Sequence, residues 1–92
     1  MENFVKLTNH AKRKSLQRFA IPEGKLLELA EKSVMYGYSI NDAPSDKVRQ
    51  YLMKKARQGR KVYAYYGYVF IFDLDFALIT TYPMPQHYKY GQ

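Results

Sequence analysis

Residues 61–85, KVYAYYGYVFIFDLDFALITTYPMP, decide the fold. β-Branched and aromatic side chains dominate this stretch, and no helical punctuation interrupts it. Gly67 supplies one tight turn and Asp73-Leu74-Asp75 a second, so three antiparallel strands are expected over residues 61–66, 68–72 and 76–82. Pro83 and Pro85 close the last of them. Strict alternation sets Phe76, Leu78, Thr80 and Tyr82 on one face of the third strand and Ala77, Ile79 and Thr81 on the other.

Working back towards the N-terminus, the punctuation becomes helical. Thr8 and Asn9 offer side-chain oxygens to a helix N-terminus, and a first helix is expected over residues 9–19. Its apolar members are sparse, whereas His10, Arg13, Lys14, Gln17 and Arg18 form a wide polar stripe. Pro22 ends that helix and suits the start of the next, in which Leu26, Leu27, Ala30 and Val34 follow helical spacing as far as Gly37. Residues 39–45 read as a loop feeding a third helix capped near Ser45. Val48, Tyr51, Leu52 and Ala56 are its apolar face, Arg49, Lys54, Lys55 and Arg57 its basic face, and Gly59 its end. Phe4, Val5 and Leu7 make an edge strand or a docked arm. Helices first and a meander afterwards indicate an α+β domain, with helices packed on one face of a small C-terminal antiparallel sheet. One domain is expected over residues 1–92, with 86–92 a loose polar tail.

A chain of 92 residues buries about 60–65% of the surface it exposes when unfolded, which leaves room for one core. With no cysteine it has no disulfide framework, thiolate metal site or cysteine nucleophile, a composition suited to a reducing cytoplasm. The longest apolar stretch, residues 62–72, is shorter than the roughly 20 residues of a membrane span. Lys12, Arg13 and Lys14 stand where the apolar region of a signal peptide would be. A soluble cytoplasmic protein is therefore expected. The positive charge is blocked: residues 47–62 hold seven Lys and Arg and no Asp or Glu, and residues 1–20 hold five against one. Such asymmetry favours a polyanion, nucleic acid or an acidic protein; the same side chains also solubilise exposed helix faces.

His10 and His87 are the only histidines, and no carboxylate cluster accompanies either, so neither a metal site nor a cofactor is expected. Asp73 and Asp75 read as turn residues rather than as an acid–base pair. The five glycines are scattered and form no phosphate-cradling loop. What remains is a histidine, many cations and ten tyrosines, an inventory suited to RNA. Cleavage by the 2′-hydroxyl needs a proton acceptor, a proton donor and cations for developing charge, none of which has to be a metal. Tyrosines stack on unpaired bases, although half or more of them are expected to be packing in strands. His10, with Arg13 and Lys14 one turn later, is a candidate proton carrier. Lys12, Lys14, Arg57, Arg60 and Lys61 are candidate phosphate contacts.

NHAKRKSLQRFAIPE (residues 9–23) taken together with the C-terminal strands resembles a family of small bacterial and phage proteins that open on a His-Ala-x-x-Arg helix and end on a Leu-Ile-Thr strand. That family is grouped with RelE-like and BrnT-like toxins, in the barnase, EndoU, colicin and RelE class of metal-independent ribonucleases. The resemblance implies a RelE-like fold and an RNA-cleaving toxin of a toxin–antitoxin or mobile-element system, acting on RNA, free or ribosome-associated, and restrained by an antitoxin. It carries site roles onto His10, Arg13, Arg18 and Thr80, and more weakly onto Tyr66 and Tyr82. Two features depart from RelE: the middle helix is long, and no helix follows the sheet, leaving His87 and Tyr88 of the tail as substitutes. The alternatives are a non-catalytic nucleic-acid-binding module and a phage accessory protein that binds a host protein.

Overall fold

Two turns written into the sequence fold the C-terminal third into a meander. In the computed structural model, which describes residues 4–57 and 59–85, the chain runs β1 Lys6–Leu7, α1 Asn9–Phe19, α2 Glu23–Tyr36, β2 Tyr38–Ser39, a 3-10 turn, α3 Asp46–Lys55, β3 Lys61–Tyr65, β4 Tyr68–Phe72 and β5 Ala77–Pro83. Tyr66 and Gly67 both take positive φ, 55° and 81°, the backbone of a two-residue hairpin turn whose twist matches its strands. In the second turn one Asp73 carboxylate oxygen accepts from the amides of Asp75 (2.8 Å) and Ala77 (3.0 Å), which is the local role expected of Asp there. Phe76 sits in that turn at φ 63°, so β5 begins one residue later than the alternation pattern set it.

The sheet has five strands in the order β1-β5-β4-β3-β2. Its centre is the expected antiparallel meander. Two-residue strands flank it: β2, which straddles the start of the expected loop, pairs antiparallel with β3, and β1 pairs parallel with β5. Both are too short to show a sequence period, so only their tertiary pairing defines them.

The helices were expected on one face and instead divide between two. Along β4 the side chains alternate: Phe70 and Phe72 join Val5, Ala11, Leu26, Leu29 and Leu78 in a core under α1 and α2. Val69 and Ile71 join Val48, Leu52, Val62, Ala64 and Met84 in a second core under α3. A strand apolar on both faces, as YVFIF is, must be covered on both. Val48 and Leu52, fully buried, contribute about 1.5–3 kcal/mol each in transfer terms. The helix they hold ends at Lys55, short of Gly59. The Ala56 amide closes onto the carbonyls of Leu52 and Met53, and Ala56 then leaves helical geometry at ψ 90°. Gly59, at φ 77°, serves the following turn instead.

Thr8 ties α1 to the sheet. Its hydroxyl accepts from the Ala11 amide (3.1 Å), capping the helix, and donates to the Leu78 carbonyl (2.7 Å). A β-bulge between Ile71 and Phe72 pairs Ile71 with Thr80 but Phe72 with Leu78. The extra residue, Ile79, breaks the expected alternation: Leu78 goes to the α1/α2 core, while Thr80 and Tyr82 pair with Ile71 and Val69 on the α3 side.

Ser15 on α1 and Thr81 on β5 are fully buried, and among the described residues neither hydroxyl has a hydrogen-bond partner. An unpaired buried hydroxyl costs about 1–3 kcal/mol. Thr81→Val, which keeps the shape and removes that group, is therefore expected to stabilise the fold by about 1 kcal/mol. A urea titration reads the change directly, and a loss of stability would mean that the hydroxyl is satisfied.

Candidate functional site

β1 stops after pairing with Leu78, so beyond that point, among the described residues, no strand pairs with the outer side of β5, which is left as a sheet edge. α1 runs alongside, and Arg18, in its last turn, reaches over this edge. One guanidinium nitrogen, Nη1, donates to the Thr81 carbonyl at 2.9 Å and makes a longer contact with Thr80 Oγ1 at 3.4 Å. The guanidinium carbon lies 5.1 Å from the centre of the Tyr82 ring. On the α3 side the same ring carries the Lys55 ammonium at 4.2 Å. Cations over an aromatic face are held by its quadrupole.

These contacts open into a cleft of about 210 Å³ between the end of α3 and the β4–β5 pair. Ile71, Thr80 and Tyr82 form its floor; Lys54, Lys55, Arg57 and Arg60 form its rim. Lys54 and Lys55 belong to the last turn of α3, where cations also offset the carbonyl end of the helix dipole. Among the described residues no carboxylate lines the cleft, and neither Arg18 nor the four rim cations makes an ion pair. Elsewhere pairing is common: Lys12 with Glu23 (3.5 Å), Lys25 and Lys32 with Glu28 (3.3 and 3.1 Å), Arg49 with Asp46 (3.0 Å). Among the described residues the cleft is thus a concentration of positive charge that no carboxylate offsets, lined also by Thr80 and Tyr82.

Of the residues singled out in sequence, the structure brings together Arg18, Thr80, Tyr82, Arg57 and Arg60. His10 stands apart. It is exposed at the start of α1, eight residues and so about 12 Å of helix rise from Arg18. Arg13 faces elsewhere, bordering with Lys12, Leu16 and Glu23 a separate depression of about 350 Å³ beside the start of α2. The chain reads His10-Ala11-Lys12-Arg13, which sets the arginine one place earlier than His-Ala-x-x-Arg requires; Lys14 holds that place. Lys14 lies between His10 and Arg18 on one helical stripe. Lys61 pairs with Phe72, on the α1/α2 face, and its ammonium lies 3.9 Å from the Phe76 ring centre, so it does not reach the cleft. Tyr66 is 77% exposed in the β3–β4 turn, outside the cleft lining. His87 and Tyr88 fall outside the described residues. Lys54 and Lys55 enter the cleft although sequence reading made them only the basic face of a helix. The acid-free run 47–62 was the signal for them.

Among the described residues no helix is long and apolar enough to cross a membrane, and no three His, Asp or Glu side chains gather as a metal site would need. Comparison with protein-family models, with curated proteins and with solved structures finds no match for this chain.

Proposed function

We propose that this protein binds single-stranded nucleic acid, RNA foremost, with the strand's phosphates seated in the cleft between α3 and β5. The observation that supports this reading is the convergence of Arg18, Lys54, Lys55, Arg57 and Arg60, unpaired with any carboxylate among the described residues, around Thr80 and Tyr82. Phosphate neutralisation releases counterions, so affinity falls with salt by a log–log slope of about −0.7 per phosphate contacted on a single strand. Four or five contacts correspond to a slope of about −3. Fluorescence anisotropy with a 12-nucleotide RNA at several salt concentrations is expected to give that slope. Arg57→Ala is expected to shallow it by about 0.7, and Lys25→Ala, on α2, to leave it unchanged. A flat salt profile would overturn the reading and point to an apolar protein partner.

Cleavage of the bound RNA, as in a RelE-like or BrnT-like toxin, is the second reading, favoured by Tyr82 lining the same cleft as the cations. In this arrangement Arg18 and Lys55 would stabilise charge on the phosphate, and proton transfer would fall to Tyr82 rather than to the distant His10. A denaturing gel of the same RNA, incubated in excess chelator, separates the readings: intact RNA leaves a binding module, and fragments make a nuclease. Fragments that vanish in His10→Ala would return the proton-transfer role to His10.

A further inference from the structure

We infer that the cleft grips the phosphodiester backbone and leaves the bases unread, so that this protein takes single strands without regard to sequence; the inference rests on the nucleic-acid reading above. Reading a base needs either an aromatic face to stack on or a matched set of donors and acceptors for its edge. The cleft has its aromatic faces committed. Tyr82 packs on the α3-side core and carries both Arg18 and Lys55 over its ring. Tyr51, its neighbour, packs on the same core, donates its hydroxyl to the Pro83 carbonyl (3.2 Å) and has Lys55 over its ring at 5.4 Å. Among the described residues the exposed rings are elsewhere: Phe4 before β1, Tyr36 at the end of α2 and Tyr66 in the β3–β4 turn.

Edge recognition of adenine and cytosine fails on different grounds. Adenine and cytosine present amino donors that proteins meet with Asn, Gln, Asp or Glu. Among the described residues the cleft lining has none of these. Its capacity is cationic: four rim cations, and an Arg18 whose Nη1 is anchored on β5 while its Nε and Nη2 make no other hydrogen bond among the described residues. A guanidinium fixed along one edge, with donors left along the other, fits a phosphate bidentately. The anchoring also means that Arg18 has little conformational freedom left to lose on binding.

The test compares 12-nucleotide single strands of uridine, adenosine and cytidine, a mixed strand containing guanosine, and an abasic deoxyribose-phosphate strand of equal length and charge. Affinities are measured by anisotropy competition at one salt concentration. All five are expected to bind within about threefold of one another. Stacking contributes about fivefold to 150-fold per base where it occurs, so an abasic strand that binds more than tenfold weaker than the others would overturn this inference while leaving nucleic-acid binding in place. A preference above tenfold for the guanosine strand, the base that arginine reads best, would overturn it in the same way. If no strand binds, the nucleic-acid reading itself fails and this inference falls with it; an acidic protein then becomes the partner to seek.

Discussion

Arg18→Ala is expected to weaken binding of single-stranded RNA by about tenfold to a hundredfold, in line with the ~1.5–3 kcal/mol of a hydrogen bond to a charged group. The size follows from the position of Arg18. It comes from α1, hydrogen-bonds the Thr81 carbonyl of β5 and lies over the ring of Tyr82, one of the residues that line the cleft of the α3 cations. The change also takes a hydrogen bond from the carbonyl of Thr81, a fully buried residue, so a loss of stability of about 1–3 kcal/mol is expected beside the loss of affinity. Arg18→Lys keeps the charge but loses the planar fork, and is expected to recover only part of the affinity. Anisotropy titrations of parent, Ala and Lys variants at 100 mM salt, beside their thermal melts, separate binding from stability. Parental affinity in Arg18→Ala would remove Arg18 from the site.

Leu52→Ala is expected to destabilise the protein by about 3 kcal/mol, within the ~2–5 kcal/mol range of buried leucine truncations. For a domain of this size that lowers Tm by on the order of 15 °C. Leu52 is fully buried and, with Val48, fixes α3 to the face formed by Val62, Ala64, Val69 and Ile71. Because Lys54 and Lys55 follow two and three residues later on the same helix, RNA affinity is expected to decline together with the structure as temperature rises. Met53→Ala is the matched control: one residue along the same helix, 56% exposed, it is expected to move stability by no more than about 0.5 kcal/mol. Equal melting of the two variants, followed by circular dichroism, would mean that α3 is not packed on the sheet.

Local chemistry was enough to read most of the elements from the chain. Thr8 and Ser45 cap α1 and α3 through the side-chain oxygens that marked them in sequence. Gly67 and Asp73 make the turns for which their conformational freedom and carboxylate suit them. The tyrosines expected to be packing largely are: Tyr63, Tyr65 and Tyr68 lie against the α1/α2 core, and Tyr38, Tyr51 and Tyr82 against the α3 core. All of these depend on interactions within a few residues or on a simple period, which a linear sequence displays.

The candidate site depended on distances that a sequence does not display. His10 and Arg13 were joined by a one-turn spacing, yet the cations that gather in the cleft do so around Thr80 and Tyr82, and Arg18 meets Thr80 from 62 residues away in sequence. Three tertiary decisions produce that meeting. The two-sided β4 strand sends α3 to the face opposite α1 and α2, because apolar side chains on both faces need cover. β1 ends after Leu7, leaving β5 carbonyls free for a side chain to take. The bulge at Ile79 turns Thr80 and Tyr82 away from Leu78 and towards α3. By itself, then, the sequence determined which residues cap, turn, pack and carry charge, since propensity and pattern are local. The pairing of strands across the sheet decided which of those charges share a cleft, because register and edge exposure arise only when distant segments compete for the same backbone hydrogen bonds.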